Sequence, residues 1–137
     1  MSRQLLYLDS SALIKLVVRE PETTALFALL KDWSERISSS LARVEVLRSL
    51  RRIGAHSSTR RRAEQVLARI ALIAIDDDIV AAASALEPAD LRTLDAIHLG
   101  TALSVRGDLA ALVTYDLRLA LAAARAGLQV WRPVGDR

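Results

Sequence analysis

The feature that most constrains this chain is its rhythm: short strand-like runs alternate with longer stretches of helical periodicity. The runs are "QLLYL" (4–8), "RISSS" (36–40), "LIAI" (72–75), "ALVTY" (111–115) and "LQVW" (128–131). Short strands separated by helices argue for a parallel sheet covered on both faces. A helix is expected from Ser10, directly after the first run. In "PETTALFALLKDWSE", Pro21 suits a first helical position, and Leu26, Leu29, Leu30 and Trp33 recur at helical spacing. Ser40 is placed to cap "LARVEVLRSLRRIG", which stops at Gly54, and Ser57, Ser58 or Thr59 to cap "SSTRRRAEQVLARIA". "DDDIVAAASALE" opens on acids that suit the positive end of a helix. Thr93 is expected to cap "LDAIHLGTALSVRG", and Gly127 to close "DLRLALAAARAG". The predicted order is β-α-α-β-α-α-β-α-α-β-α-β, an α/β sandwich of three layers.

No linker, repeat or low-complexity block divides the 137 residues, so a single domain over 1–137 is expected. There is no cysteine, which excludes disulfides and thiolate metal sites and agrees with a reducing cytoplasm. The first apolar stretch is broken by Asp9 and lacks the small-residue cleavage site of a secretory signal. Runs such as "IALIAI" fall well short of the roughly 20 apolar residues of a membrane span. Net charge is only +3, yet nine arginines fall between Arg36 and Arg69 against Glu45 and Glu64. Either a GC-rich genome or a phosphate-binding surface accounts for them, since guanidinium forks grip phosphate oxygens bidentately.

In parallel sheets ligands bind beyond the carboxyl ends of the strands. Asp9 ends the first run and Asp116 follows the fourth, so both belong at that edge. Asp95 stands in the first turn of its helix, on the face of Leu99, Ala102 and Leu103. Glu45 lies one turn into the helix after the second run, on the side of Arg48 and Arg52. Singly, these acids read as helix caps, dipole partners or a solvated Glu45–Arg48 pair. Crowded at one edge they repel, and a divalent cation resolves the cost. Oxygen donors alone select a hard ion, Mg²⁺ or Mn²⁺, suited to phosphodiester hydrolysis. His98, three residues past Asp95, reads as a packed or hydrogen-bonding histidine rather than a ligand. Asp76, Asp77 and Asp78 are explained by a helix start, and Trp33 and Trp131 by the core or an interface. A receiver domain would need a late lysine, and Lys31 is the last; a haloacid-dehalogenase phosphatase needs D-x-D, and Ser11 stands at its second position.

Taken in order, "LYLDSSALIKL", "SSSLARVEVLRSL", "LRTLDAIHLGTAL" and "LVTYDLRLALAAARAGLQV" resemble the PIN-domain ribonucleases, most closely the VapC toxins of toxin–antitoxin pairs. The resemblance covers nearly the whole chain and implies a PIN-like three-layer sandwich with a central parallel sheet of four to five strands. It implies a catalytic quartet of Asp9, Glu45, Asp95 and Asp116. Asp9, Asp95 and Asp116 would hold Mg²⁺ or Mn²⁺, Glu45 would position the attacking water, and Ser10 and Thr114 would support them. It further implies a bacterial, cytoplasmic endoribonuclease leaving 3′-hydroxyl and 5′-phosphate ends, a cognate VapB-like antitoxin and a homodimer. Arg48, Arg52, Arg60, Arg61 and Arg62 are the candidate RNA contacts, and the helices of the N-terminal half are expected to shape or underlie an apolar groove for the antitoxin. The alternatives are a PIN-like module that binds RNA or protein without cleaving, and a stand-alone PIN nuclease with no antitoxin.

Overall fold

The computed structural model describes residues 3–135. Its elements run β1 (Leu5–Leu8), α1 (Ser10–Val17), α2 (Thr23–Leu30), β2 (Glu35–Ser39), α3 (Ser40–Arg52), α4 (Ser57–Ala68), β3 (Ala71–Ile73), α5 (Asp77–Ser84), α6 (Thr93–Ser104), β4 (Leu109–Val113), α7 (Leu117–Arg125) and β5 (Val130–Trp131). The order is the one read from the sequence. All strand pairs are parallel, and the sheet order is β3-β2-β1-β4-β5. The chain therefore winds outward from central β1 through β2 and β3, then crosses to the other side of β1 for β4 and β5. That reversal makes the carboxyl ends of β1 and β4 a topological switch point, the place where open α/β sheets bind ligands.

Side chains alternate across the sheet and build two cores. Leu6 and Leu8 of β1 join Ala111 and Val113 of β4 beneath α1–α4, with Leu13, Leu26, Val46, Leu50 and Leu67. Tyr7 faces the opposite way, into a cluster with Leu99 and Ala102 of α6 and Leu119, Ala122 and Ala123 of α7. In β4, Leu109 and Leu112 share that second cluster although they lie three residues apart. The pairing explains it: Leu5 opposes Leu109 but Leu6 opposes Ala111, so a bulge absorbs Ala110 and resets the alternation. α5 packs on α6, where a Cβ on Gly100 would stand 3.3 Å from the Ala83 backbone nitrogen. Only a residue without a side chain leaves that approach uncrowded.

Several helix starts differ from expectation. α2 begins at Thr23, two residues beyond Pro21, with Thr23 buried and its hydroxyl donating to the Lys15 carbonyl. Ser39 rather than Ser40 caps α3. α4 is capped by His56, whose Nδ1 accepts from Ser58 N–H at 3.1 Å. Thr93 is the first residue of α6, and Arg92 occupies the cap without a capping hydrogen bond, because its side chain is engaged elsewhere. The Gly54 and Gly127 stops hold, both at positive φ. Among the described residues no helix is long and apolar enough to cross a membrane.

Candidate active site

Asp9 leaves β1 and enters α1 with only 3% of its surface exposed. Both carboxylate oxygens are occupied. Oδ1 accepts from the Ser11 hydroxyl at 2.7 Å and from Ala12 N–H at 3.0 Å, and Oδ2 accepts from the Thr114 hydroxyl at 2.6 Å. Burial pushes the Asp9 carboxyl above the usual carboxylate range, against the opposing pull of those hydroxyls and of His98. The supporting serine is therefore Ser11, not Ser10. A cap side chain bends back over the first turn, which brings the second residue after it within reach rather than the first. Ser11 also accepts from Tyr115 N–H at 2.9 Å and so fastens α1 to the loop after β4.

Thr114 links two acids. Fully buried, its hydroxyl donates to Asp9 and accepts from Asp116 N–H at 3.0 Å. Asp116 then caps α7 through Oδ1, which accepts from Arg118 N–H at 2.9 Å and Leu119 N–H at 3.3 Å. Its other oxygen turns toward Arg92, whose guanidinium reaches Asp116 Oδ2 at 2.5 Å and Asp95 Oδ2 at 2.9 Å. Those two carboxylates raise the Arg92 pKa further, Asp95 most, so the cation between them is permanent.

Glu45 reaches the group from α3 by a route its helical face does not suggest. It is not held in a solvated pair with Arg48, the reading its face suggests when taken singly; Oε1 of Glu45 sits 2.6 Å from His98 Nε2. An ionised carboxylate only accepts, so Nε2 carries the proton, and in a neutral ring Nδ1 accepts from the Tyr7 hydroxyl 2.7 Å away. Burial pushes the Tyr7 phenol far above its ordinary value and keeps it a donor. With both nitrogens engaged and 2% exposure, His98 is not a metal ligand.

The four acids thus belong to one connected set. Asp9 joins Asp116 through Thr114, Asp116 joins Asp95 through Arg92, and α6 carries both Asp95 and the histidine that holds Glu45. Among the described residues, no three His, Asp or Glu side chains close on a single point that would hold an ion. Arg92 draws Asp95 and Asp116 to itself, while Asp9 is turned onto its hydroxyl partners. The donor chemistry nevertheless fits a hard divalent ion: clustered carboxylate oxygens with a positive charge already resting on two of them. Ser11, Arg92, His98 and Tyr7 are the members that sequence spacing did not assign. For His98 a signal existed, since its i+3 position from Asp95 shares that acid's face.

The arginines scatter. Arg48 and Arg52 are exposed on α3; Arg60, Arg61 and Arg62 are exposed on α4, which packs on α1 and α3. Trp33 and Trp131 meet edge to face at 5.5 Å against the first core. Leu16, Leu26 and Leu30 are core residues, and exposed Phe27 lines an open groove with Leu16, Arg62, Val66 and Arg69.

Residues 6–125 match the family described as PIN domain. The chain belongs to that family. Its relatives among PIN domains include Ribonuclease VapC46 of Mycobacterium tuberculosis, 46% identical over 128 residues that cover 93% of this chain and 97% of the relative. A toxin–antitoxin complex from Klebsiella pneumoniae contains a similar chain at 25% identity, with TM-score 0.65, over 81% of this chain and 86% of that one. VapC20 of M. tuberculosis, described as a sarcin-ricin loop cleaving toxin, shares the fold at 15% identity and TM-score 0.70, covering 93% and 99% of the two chains. The five-stranded parallel sheet and its flanking helices are this PIN domain's scaffold, and Asp9 and Asp116 stand at the carboxyl ends of its β1 and β4.

Proposed function

We propose that this PIN domain is a metal-dependent endoribonuclease acting as the toxin of a toxin–antitoxin pair. The observation that carries the reading is the connected set of four acids around the carboxyl ends of β1 and β4, in a chain 46% identical to a ribonuclease VapC. Asp9, Asp95 and Asp116 are the residues to hold Mg²⁺ or Mn²⁺, whose chemistry when bound is to polarise a phosphoryl oxygen and acidify water. Glu45 accepts the proton of the attacking water, and His98 aims its carboxylate while Tyr7 holds the imidazole. Thr114 fixes the relative position of Asp9 and Asp116, and Ser11 anchors Asp9 from the other oxygen. Water oxygen bonds to phosphorus as the bond to the 3′ oxygen breaks; that oxygen takes up a proton, and the phosphate stays on the 5′ side. Exposed Arg48 and Arg52 follow Glu45 along one face of α3 and are placed to meet the RNA backbone.

The test is cleavage of RNA by the purified chain with Mn²⁺ or Mg²⁺, with EDTA, and with Asp9→Asn. Metal-dependent products bearing 3′-hydroxyl and 5′-phosphate ends, absent from the Asn variant, are expected. Equal cleavage by the variant would remove the assignment of Asp9. Light scattering with and without the product of the neighbouring gene tests the homodimer and the VapB-like antitoxin. A monomer that ignores that product would make the chain a stand-alone nuclease.

A further inference from the structure

Beside Arg92, the partner of Asp95 and Asp116, lies a cavity to which no role has been given above. It measures about 330 Å³ and opens between the loop before α6 and the outer face of α7. Pro88, Leu91, Leu121 and Ala122 form its apolar floor, and Arg92, Arg118 and Arg125 rim it against the single carboxylate of Asp90. Leu121 is 56% exposed, a large apolar side chain held in solvent by a helix whose other face is fully packed. Arg118 and Arg125 are seven residues apart, two turns on the same face and about 10 Å along the axis. The cavity is continuous with the catalytic group. Arg92 belongs to both, and Asp116, the α7 cap, lies two residues before Arg118.

We propose that this pocket is a nucleotide subsite, holding one base of the RNA strand beside the scissile phosphodiester while Arg118 and Arg125 contact its phosphates. The proposal rests on the ribonuclease reading and specifies where the substrate lies. Three features select this occupant. The volume is at the small end of ligand pockets and suits a single base with its sugar. An apolar floor meets any base face by dispersion, and the guanidinium planes at its rim can stack on an unpaired base. The rim is net cationic, and guanidinium groups match phosphate oxygens bidentately. A base seated over Leu121 also orders the strand at the acids, which places the phosphodiester rather than merely attracting it. The arginines of α4 lack this continuity, since the helices theirs chiefly packs on are α1 and α3.

The test is fluorescence anisotropy of a labelled, mixed-sequence single-stranded ten-nucleotide RNA with the full chain, in EDTA, across a salt series. Against wild type, Arg118→Gln with Arg125→Gln should weaken binding roughly tenfold and flatten the log–log salt slope by about 1.4. Leu121→Ser should weaken binding several-fold and leave the slope unchanged, because it removes apolar contact and no charge. The paired replacement of Arg3 and Arg19 by Gln, before β1 and after α1 and so away from the acids, controls for net charge and should match wild type in slope and affinity. Wild-type protein that binds and cuts RNA while both α7 variants bind equally well would overturn the subsite and leave the ribonuclease reading standing. Loss of association with the neighbouring gene's product, with RNA binding intact, would assign the pocket to a protein partner and also overturn it. Wild-type protein that neither binds nor cuts RNA would overturn both readings.

Discussion

Arg92 is a cation in the middle of a cluster that the proposed chemistry needs for another cation. Its Nε reaches Asp95 at 2.9 Å and its terminal nitrogen reaches Asp116 at 2.5 Å. An ion bound by those carboxylates must take oxygens that Arg92 now holds. The guanidinium is 53% exposed, so each pair is screened, and exposed pairs contribute about 0.2–1 kcal/mol. Asp95 is 9% exposed on its side chain, which places its pair toward the upper end. Together the two contacts oppose metal by about 1–2 kcal/mol, or roughly 5- to 30-fold in affinity. Arg92→Gln should therefore bind Mn²⁺ more tightly by that factor, and the gap should narrow as salt rises. Isothermal titration calorimetry, or electron paramagnetic resonance of free Mn²⁺, reads the affinity directly and without substrate. Unchanged or weaker Mn²⁺ binding would show that Asp95 and Asp116 are not the ion's seats, or that Arg92 holds them in the shape the ion requires.

Three further outcomes follow from the same contacts. In EDTA, Asp9→Asn should raise the denaturation midpoint at neutral pH. Burial lifts the folded-state pKa of Asp9, so protonation favours the fold, and stability in wild type should fall as pH rises from about 4 through that raised value before levelling off; an identical pH profile in the variant would contradict it. Thr114→Val should cost about 2–4 kcal/mol in urea unfolding, since it strands Asp9 Oδ2 and Asp116 N–H together, and a cost under 1 kcal/mol would show that water replaces the hydroxyl. Tyr7→Phe should leave metal binding intact and lower the cleavage rate about tenfold, because His98 loses its Nδ1 partner and with it the constraint on Glu45; an unchanged rate would make Tyr7 a packing residue only.

Much of the fold was legible because its signals are local. Four of the five strands are short apolar runs, β2 (ERISS) being the exception, and the two glycine stops need only a positive φ that few other residues tolerate. Cap identities were less legible, for a physical reason. A cap depends on which side chain is free to turn back, and competing tertiary contacts decide that. Arg92 sits at the α6 cap with its side chain spent on two acids. His56 displaced three hydroxyl candidates at α4 because an imidazole nitrogen can accept as an oxygen does. The bulge at Ala110 has no sequence signal of its own, yet it decides which β4 residues face α6.

The acids were legible for a related reason and, apart from Thr114, which the family resemblance supplied, their partners were not. A carboxylate at the end of an apolar run violates the local pattern, and such violations mark strained or functional positions. Its partners violate nothing. Ser11, Thr114, Tyr7 and His98 are each unremarkable on their own elements, and only strand order brings Asp9 within 2.6 Å of a hydroxyl 105 positions away. Glu45 carries the point furthest. Helical periodicity assigns it to a solvent face with Arg48, but α6 crosses that face and supplies the buried His98, so the acid is held at 20% exposure. A charged residue on a helix's polar stripe is solvated only where no neighbouring element covers the stripe. Here the covering element also carries Asp95, so the histidine that holds Glu45 and the aspartate that pairs with Arg92 share one rigid helix. Any movement of α6 must then shift Asp95 and, through His98, Glu45 together, which ties the geometry of the four acids to the packing of α6 on α5 and α7.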